Sequence, residues 1–462
     1  MIVMRKALFA LIGIALIAAV AWTGLWFYGK GRIVEEIEAQ ARIIRAQGGE
    51  AEYETIELGG FPLGYTGRII APRVKTVRDV KAPSGEGTVP ATIAWSAPWI
   101  EASATVMAPN AVGFTFPETQ VVILDLPELE GASLPITLTS QDLKMTTARD
   151  GDDITFDGDA STLGGSFSRL SQESGQIDMT WTIRDMDLSG KTGQAQATDR
   201  KLALNFKIAS LDGSAIIGGN ETTPGGKIDF RSDAAAIETD SLGAETTINA
   251  RLNAFVATLS FDSLGGQPFD IGVDSLEAMT RMPNDAAAEP QPFAYRIAVK
   301  DVTAADLIWT MLDPEDAFTR EINALSIDME GDAIFTAAPS NSEAFARAME
   351  SGLPVDVSAL RLKDLTVDAL GLRAKGKGEG TLESTIPQGT ATLAVDGIPD
   401  FMNSMVKSGR IPPQQAMVVQ LMIESFGKLD EEGDTVHFDF EARDGMMYVN
   451  GVPIGEAPAM PQ

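Results

Sequence analysis

A strict alternation of apolar and polar residues limits what this chain can fold into more than any other feature. In Ile177-Asp178-Met179-Thr180-Trp181-Thr182-Ile183-Arg184 every odd position is apolar and every even one polar. Residues 201–208 alternate similarly, as do Val436, Phe438 and Phe440. A period of two sends successive side chains to opposite faces, so these segments read as half-buried strands. Asp150-Gly151, Asp157-Gly158, Asp212-Gly213, Asp444-Gly445 and Asn450-Gly451 lie between or beside such runs. Residues of these types tolerate positive φ and suit tight hairpin turns, so the pattern predicts a largely antiparallel sheet. From Ile248 to Phe261 both parities carry apolar residues, with Ile248, Ala250, Leu252, Ala254 and Val256 on one and Phe255, Ala257, Leu259 and Phe261 on the other. Such a strand calls for cover on both faces, from two protein layers or from one layer and an amphiphilic ligand.

Helical spacing appears in fewer places. Ile33, Ile37, Ala41 and Ile44 recur at the helical period, and Gly48-Gly49 ends the run, which predicts a stalk helix over 31–49. Ala304 to Leu312 and Ser342 to Met349 read as short helices. Asp400 to Lys407 and Pro413 to Phe426 form a helical pair carrying Met402, Met405, Met417 and Met422. Methionines of this kind fill core gaps or line adaptable binding surfaces; the core reading is the commoner one. Residues 283–292 hold three prolines around an alanine-rich stretch and mark either a subdivision of the domain or a long hairpin loop. No strict sequence repeat is present.

Residues 7–27 carry no charge and span about 30 Å as a helix, the thickness of a bilayer's hydrocarbon core. Arg5 and Lys6 precede the segment, and Trp22, Trp26 and Tyr28 close it as an interfacial aromatic belt. The segment is expected to be a transmembrane anchor over residues 1–30 with a short cytoplasmic tip. Cleavage after Ala19-Val20-Ala21 would leave the apolar run Trp22 to Phe27 as a bare N-terminus, which favours the uncleaved form. Lys30, Arg32, Arg42 and Arg45 follow the helix, so a count of positive residues does not set the orientation. The short basic start before an apolar stretch favours export, placing residues 50–462 in the periplasm and the anchor in the inner membrane as a single pass.

Four of the 36 basic residues and none of the 65 acids lie at or before Arg32, so the remainder carries a net charge of −33. A domain so acidic is repelled by nucleic acid, which is excluded as a partner, and by anionic lipid headgroups. Cysteine is absent, which removes disulfides, thiolate metal sites and cysteine nucleophiles. The one histidine, His437, shares its strand face with Asp439 and Glu441, and side chains about 7 Å apart along a strand do not converge on a metal. No Gly-x-Ser-x-Gly elbow accompanies it. Asp150-Gly151-Asp152-Asp153 lacks the spacing of a calcium loop and reads as an acidic hairpin. Gly376, Gly378 and Gly380 lack phosphate-loop spacing and simply leave one face of a strand bare. No catalytic constellation and no cofactor site is expected.

Several local patterns resemble the uncharacterised envelope family DUF2125 (domain of unknown function), typical of alphaproteobacteria. After the anchor and stalk come Gly60-Phe61-Pro62, Trp95-Ser96-Ala97-Pro98, Pro109-Asn110 and Pro117-Glu118-Thr119-Gln120, and Asp444-Gly445 and Asn450 to Gly455 at the chain end. Leu63-Gly64-Tyr65 departs from the polar residue and arginine usual at that point in the family. The resemblance implies an inner-membrane-anchored, β-rich periplasmic protein and carries over no catalytic residue. The residues themselves make Gly60-Phe61-Pro62 a turn with a buried aromatic tip, and Trp95 and Trp99 core or groove anchors.

The expected fold is therefore mainly β (α+β): a transmembrane helix, then an elongated, largely antiparallel sheet domain with a few packing helices. The expected role is a non-catalytic binding module for lipid or another amphiphile, with Phe61, Trp95, Trp99, Met402, Met405, Met417 and Met422 as groove or packing anchors. Its architecture is analogous to large anchored β-groove proteins of lipid transport. The alternative is a structural or assembly factor docking another envelope protein.

Overall fold

The computed structural model describes residues 31, 34–35, 37–39, 41–62, 64–81, 88–105, 108–125, 133–151, 153–171, 175–192, 202–220, 224–339, 345, 347–348, 355–382, 387–430 and 435–457. The anchor expected over 7–27 and most of the helix expected over 342–349 lie outside them. Among the described residues no helix is long and apolar enough to cross a membrane. The fold is mainly antiparallel β with few helices, as the alternation predicts. Two compact units divide it, Met1–Lys191 with Ala215–Thr223, and Thr192–Ser214 with Pro224–Gln462.

The stalk helix ends where expected, with Gly48 at φ +82° and the Gly49 N–H donating to Ile44 O at 3.0 Å. The first unit then builds β1 (Glu50–Glu52), β2 (Thr55–Gly59), β3 (Gly64–Ile70), β4 (Arg73–Lys81), β5 (Thr88–Ser96), β6 (Trp99–Thr105), β7 (Ala108–Thr115), β8 (Thr119–Asp125), β9 (Leu134–Gln141), β10 (Lys144–Asp150), β11 (Asp153–Ser171) and β12 (Gly175–Thr192). These strands are a meander of long segments, most of them broken once near the middle. The ladder of β3 with β6 continues in register as that of β4 with β5, Ile70 facing Trp99 and Arg73 facing Ser96. Between those pairs the Ala71 N–H donates to Pro98 O at 2.8 Å and the Ala97 N–H to Pro72 O at 3.2 Å. Proline has no N–H to give, so it is tolerated where the ladder is interrupted anyway. Asp142, at φ +56°, breaks the next such pair of strands, and the Ser161 hydroxyl of β11 donates to its carboxylate at 3.1 Å.

The second unit repeats the device. Its strands are β13 (Leu202–Ile208), β14 (Ser210–Ile217, which runs into the first unit), β15 (Gly226–Ser232), β16 (Ala234–Asp240), β17 (Glu245–Phe261), β18 (Phe269–Pro283), β19 (Gln291–Ala304), β20 (Ile322–Phe335), β21 (Val355–Ala369), β22 (Leu372–Thr381), β23 (Gln388–Asp396), β24 (Lys428–Leu429), β25 (Thr435–Arg443), β26 (Met446–Val449) and β27 (Val452–Glu456). Pairing between β17 and β18 omits Ala254 and Asp274, between β18 and β19 it omits Asp274 and Asp301, and between β19 and β20 it omits Asp301 and Asn323. The omitted residues thus fall on one line, and Ala254 and Asp301 sit at φ +46° and +49°.

At that line the apolar parity changes. In β19 Tyr295, Ile297 and Val299 give way to Val302 and Ala304, and in β18 Ile271 and Val273 give way to Leu276 and Ala278. A bulge-like residue advances the alternation by one and bends the strand, so a single apolar face continues across the crease. The run from Ile248 to Phe261 has the same explanation: Ile248, Ala250 and Leu252 precede Ala254, and Phe255, Ala257 and Leu259 follow it. Most of its double-sided apolar character is one face read through a parity change.

Of the turns expected, Asp444-Gly445 and Asn450-Gly451 have positive φ at both residues and close hairpins, and Gly151 turns β10 into β11. Asp157-Gly158 and Asp212-Gly213 do not turn; they lie inside β11 and β14. Gly213 is there because the Phe230 ring crosses it, and a Cβ would come within 2.2 Å of that ring. Residues 284–290 form the loop of the β18–β19 hairpin.

The second unit carries, among its described residues, the α-helices α1 (Asp306–Leu312), α2 (Ile398–Lys407) and α3 (Pro413–Phe426). α1 packs through Trp309, which is buried, and the following turn buries Phe318 against Phe401 of α2, with ring centroids 5.7 Å apart. Asp313 fixes that turn: its Oδ2 accepts from the N–H groups of Ala317 and Phe318 at 2.7 and 2.9 Å.

Candidate apolar binding face

The register of the second unit aligns one apolar row across nine strands: Ile237, Ala250, Ala278, Ile297, Ile327, Leu365, Gly376, Leu393 and Phe438, each opposite the next. At the usual strand spacing the row runs about 38 Å. A neighbouring row holds Ile248, Tyr295, Met329, Leu362, Ala391 and Phe440. No residue of either row is fully buried. Ile237, Ile248, Tyr295 and Leu325 keep 38–45% of their surface exposed on successive parts of this face. A sheet covered by a second protein layer buries such residues, as it does Val395 and Val436 at the far end, so the described chain leaves the rest of this face open.

The other face of the same strands is polar. Arg296 meets Glu277 at 3.7 Å, Arg361 meets Glu330 and Glu379 each at 3.4 Å, and Lys363 also pairs with Glu330. The Lys363 hydrogen bond, followed by the positive charges around it, holds the Glu330 carboxyl below its ordinary range. His437 lies exposed on this face with Asp439, which pairs instead with Lys428 at 3.2 Å. Among the described residues no group of carboxylates and histidine is placed to hold a metal ion.

The open face deepens over β22 and β23. Gly376, Gly378 and Gly380 turn their bare side toward it, as their spacing suggests, while Lys375, Lys377 and Glu379 face the other way and are exposed. The result is a trough of about 290 Å³ over Gly378, Gly380 and Gly389, walled by Leu360, Leu362, Phe440 and Met447. A Cβ on Gly378 would stand 2.7 Å from the Ala391 side chain, which explains glycine at that position. At the same strand ends a second concavity of about 560 Å³ is lined by Arg281, Phe293, Glu330, Arg361 and Glu379. Its charged residues Arg281, Glu330, Arg361 and Glu379 belong to the polar face of the sheet, and the trough to the apolar one.

The residues singled out in the sequence fall in two groups. Phe61, Trp95 and Trp99 belong to the first unit, and the four methionines to the second. Phe61 is 51% exposed at its turn, which corrects the expectation of a buried tip: the loop carries it past the end of the β2–β3 ladder. Trp95 is half-buried, its Nε1 donating to the buried Gln120 at 2.9 Å. The Arg68 guanidinium stacks over Trp99 at 4.2 Å. Met402 and Met405 are half-buried on α2, whereas Met417 and Met422 are exposed on α3, so the core reading holds only for the first pair. Ile248, Ala250, Gly376, Phe438 and Phe440 of these rows are marked by the alternation, whereas their alignment into one face rests on the register and on the parity changes at Ala254, Asp274 and Asp301.

No curated protein and no solved structure matches the chain. A family model matches residues 26–251 and 202–458, nearly the whole chain between them. The chain therefore belongs to the family described as an uncharacterized protein conserved in bacteria, DUF2125.

Proposed function

We propose that this protein is a non-catalytic, membrane-anchored module that binds a lipid or similar amphiphile on the open face of its second unit. The observation that carries the reading is the apolar row across nine strands, none of it fully buried and backed by a face of ion pairs. An acyl chain is the ligand such a surface suits, because it needs apolar area without directional partners. The uncharged segment 7–27 supports an inner-membrane anchor, and its basic start supports export of the acidic β-rich remainder to the periplasm.

The test is mass spectrometry of lipid retained by the purified full chain. Wild type is expected to carry lipid, Leu325→Glu on the open face to lose it, and Ser326→Glu on the polar face to keep it, with melting curves confirming that both variants fold. A wild-type protein free of lipid, or equal retention by both variants, overturns the proposal. Capture of one stoichiometric envelope protein on the same face would favour a docking role instead.

A further inference from the structure

Helix α3 is unlike the rest of this acidic chain. Met417, Val418, Leu421 and Met422 are each more than half exposed, and Val419 is exposed as well. At 100° per residue these positions sweep more than half of the helix circumference. A protein groove takes one stripe of a helix and leaves the other side to solvent, whereas a helix apolar over so wide an arc suits a surrounding apolar medium. Met311 and Leu312, at the end of α1, are also strongly exposed. They lie beside the turn that leads into α3, because Arg410 Nη2 donates to Leu312 O at 2.6 Å and Lys407 Nζ to Asp316 O at 2.6 Å.

Charge separates the candidate partners. Residues 401–423 contain no acid, in a chain with 65 of them, and Lys407 and Arg410 stand exposed where α3 begins. Lys428 follows its end, exposed but paired with Asp439 at 3.2 Å. The helix is held firmly at that end, where the Asn450 side-chain amide donates to Phe426 O and to His437 O at 3.0 Å. An apolar helix preceded by two exposed cations, with Glu424 in its last turn as its one acid, is complementary to an anionic headgroup layer over hydrocarbon.

We propose that α3, with Met311 and Leu312, lies in the surface of a bilayer containing anionic lipid, a second membrane contact besides the N-terminal anchor. This contact is independent of the open sheet face: either one stands if the other fails. Because the chain has no cysteine, a single probe can be placed without background. Full-length Met417→Cys, Leu421→Cys and, on the polar sheet face, Ser326→Cys would be labelled with an environment-sensitive fluorophore. They would then be reconstituted in vesicles of phosphatidylethanolamine and phosphatidylglycerol. The anchor already ties the chain to the vesicle, so depth rather than binding is read. Labels at 417 and 421 are expected to shift to the blue and to be quenched by lipid-borne nitroxide several times more than the label at 326. The difference is expected to shrink in vesicles lacking phosphatidylglycerol. Labels at 417 and 421 that behave like the one at 326 overturn the proposal. So do labels that are shielded but not quenched by the lipid nitroxide, which would mark a protein partner or a second copy.

Discussion

Within the second unit, the corner around α1 and the middle of the sheet are made from similar residues and packed in opposite ways. At the corner, Trp309 and Phe318 are buried, Asp313 is buried with its carboxylate bound by two backbone N–H groups, and Phe401 closes the cluster. In the sheet, Ile297, Ile327 and Leu365 stand in line and none is fully buried. The corner is a protein core and the sheet face is half of one. Apolar content alone therefore does not make a core; a second layer does, as at the corner.

Truncating the corner should hurt most. Phe318→Ala is expected to lower unfolding stability by about 3–5 kcal/mol in denaturant titrations, through lost burial and the cavity left behind. Asp313→Ala strands two N–H groups, that of Phe318 buried and that of Ala317 partly so, and is expected to cost about 1–3 kcal/mol in the same assay. On the open face Leu325→Ala removes a side chain already 38% exposed, and a loss of only about 1 kcal/mol is expected without ligand. A loss at Leu325 equal to that at Phe318 would show that the face is covered, and would erase the contrast. If the face holds an amphiphile, the Leu325→Ala penalty should grow when lipid is present, because ligand binding adds to the folded state alone.

The polar face gives the smallest effect. The Glu330 carboxyl has its pKa depressed by Lys363, so its contribution is present above the ordinary carboxylate range and is lost as pH falls through the folded value. Glu330→Gln should therefore lower stability slightly at neutral pH, leave it unchanged in strong acid, and so flatten the acid side of the stability profile. A larger loss at neutral pH would mean that the ion pairs of this face are structural rather than solvating.

Much of this contrast is legible in the sequence, and the illegible part has physical causes. Alternation in Ile177 to Arg184 and around Phe438 marks strands correctly because a half-buried sheet tolerates polar residues on one face only. Hairpins at Asp444-Gly445 and Asn450-Gly451 follow from residues that accept positive φ. Leu370 also takes positive φ, at +57°, ahead of Gly371, and nothing in its side chain announces it. Glycine misleads in Asp212-Gly213 because it serves an aromatic ring on the next strand rather than a turn. The methionines of α2 and α3 read alike, and what separates them is tertiary: α2 has Phe318 to dock on, and α3 lacks such a partner among the described residues.

The crease has a consequence for how such a molecule changes size. Because successive strands break at the same level, the profile of the sheet is set by the single strand, and its length by how many hairpins are laid side by side. Inserting or deleting one hairpin would move the ends by about 10 Å and leave the cross-section intact, as with material drawn through a die. Capacity can then be adjusted by the number of hairpins alone, provided each newcomer keeps its parity change at the shared line.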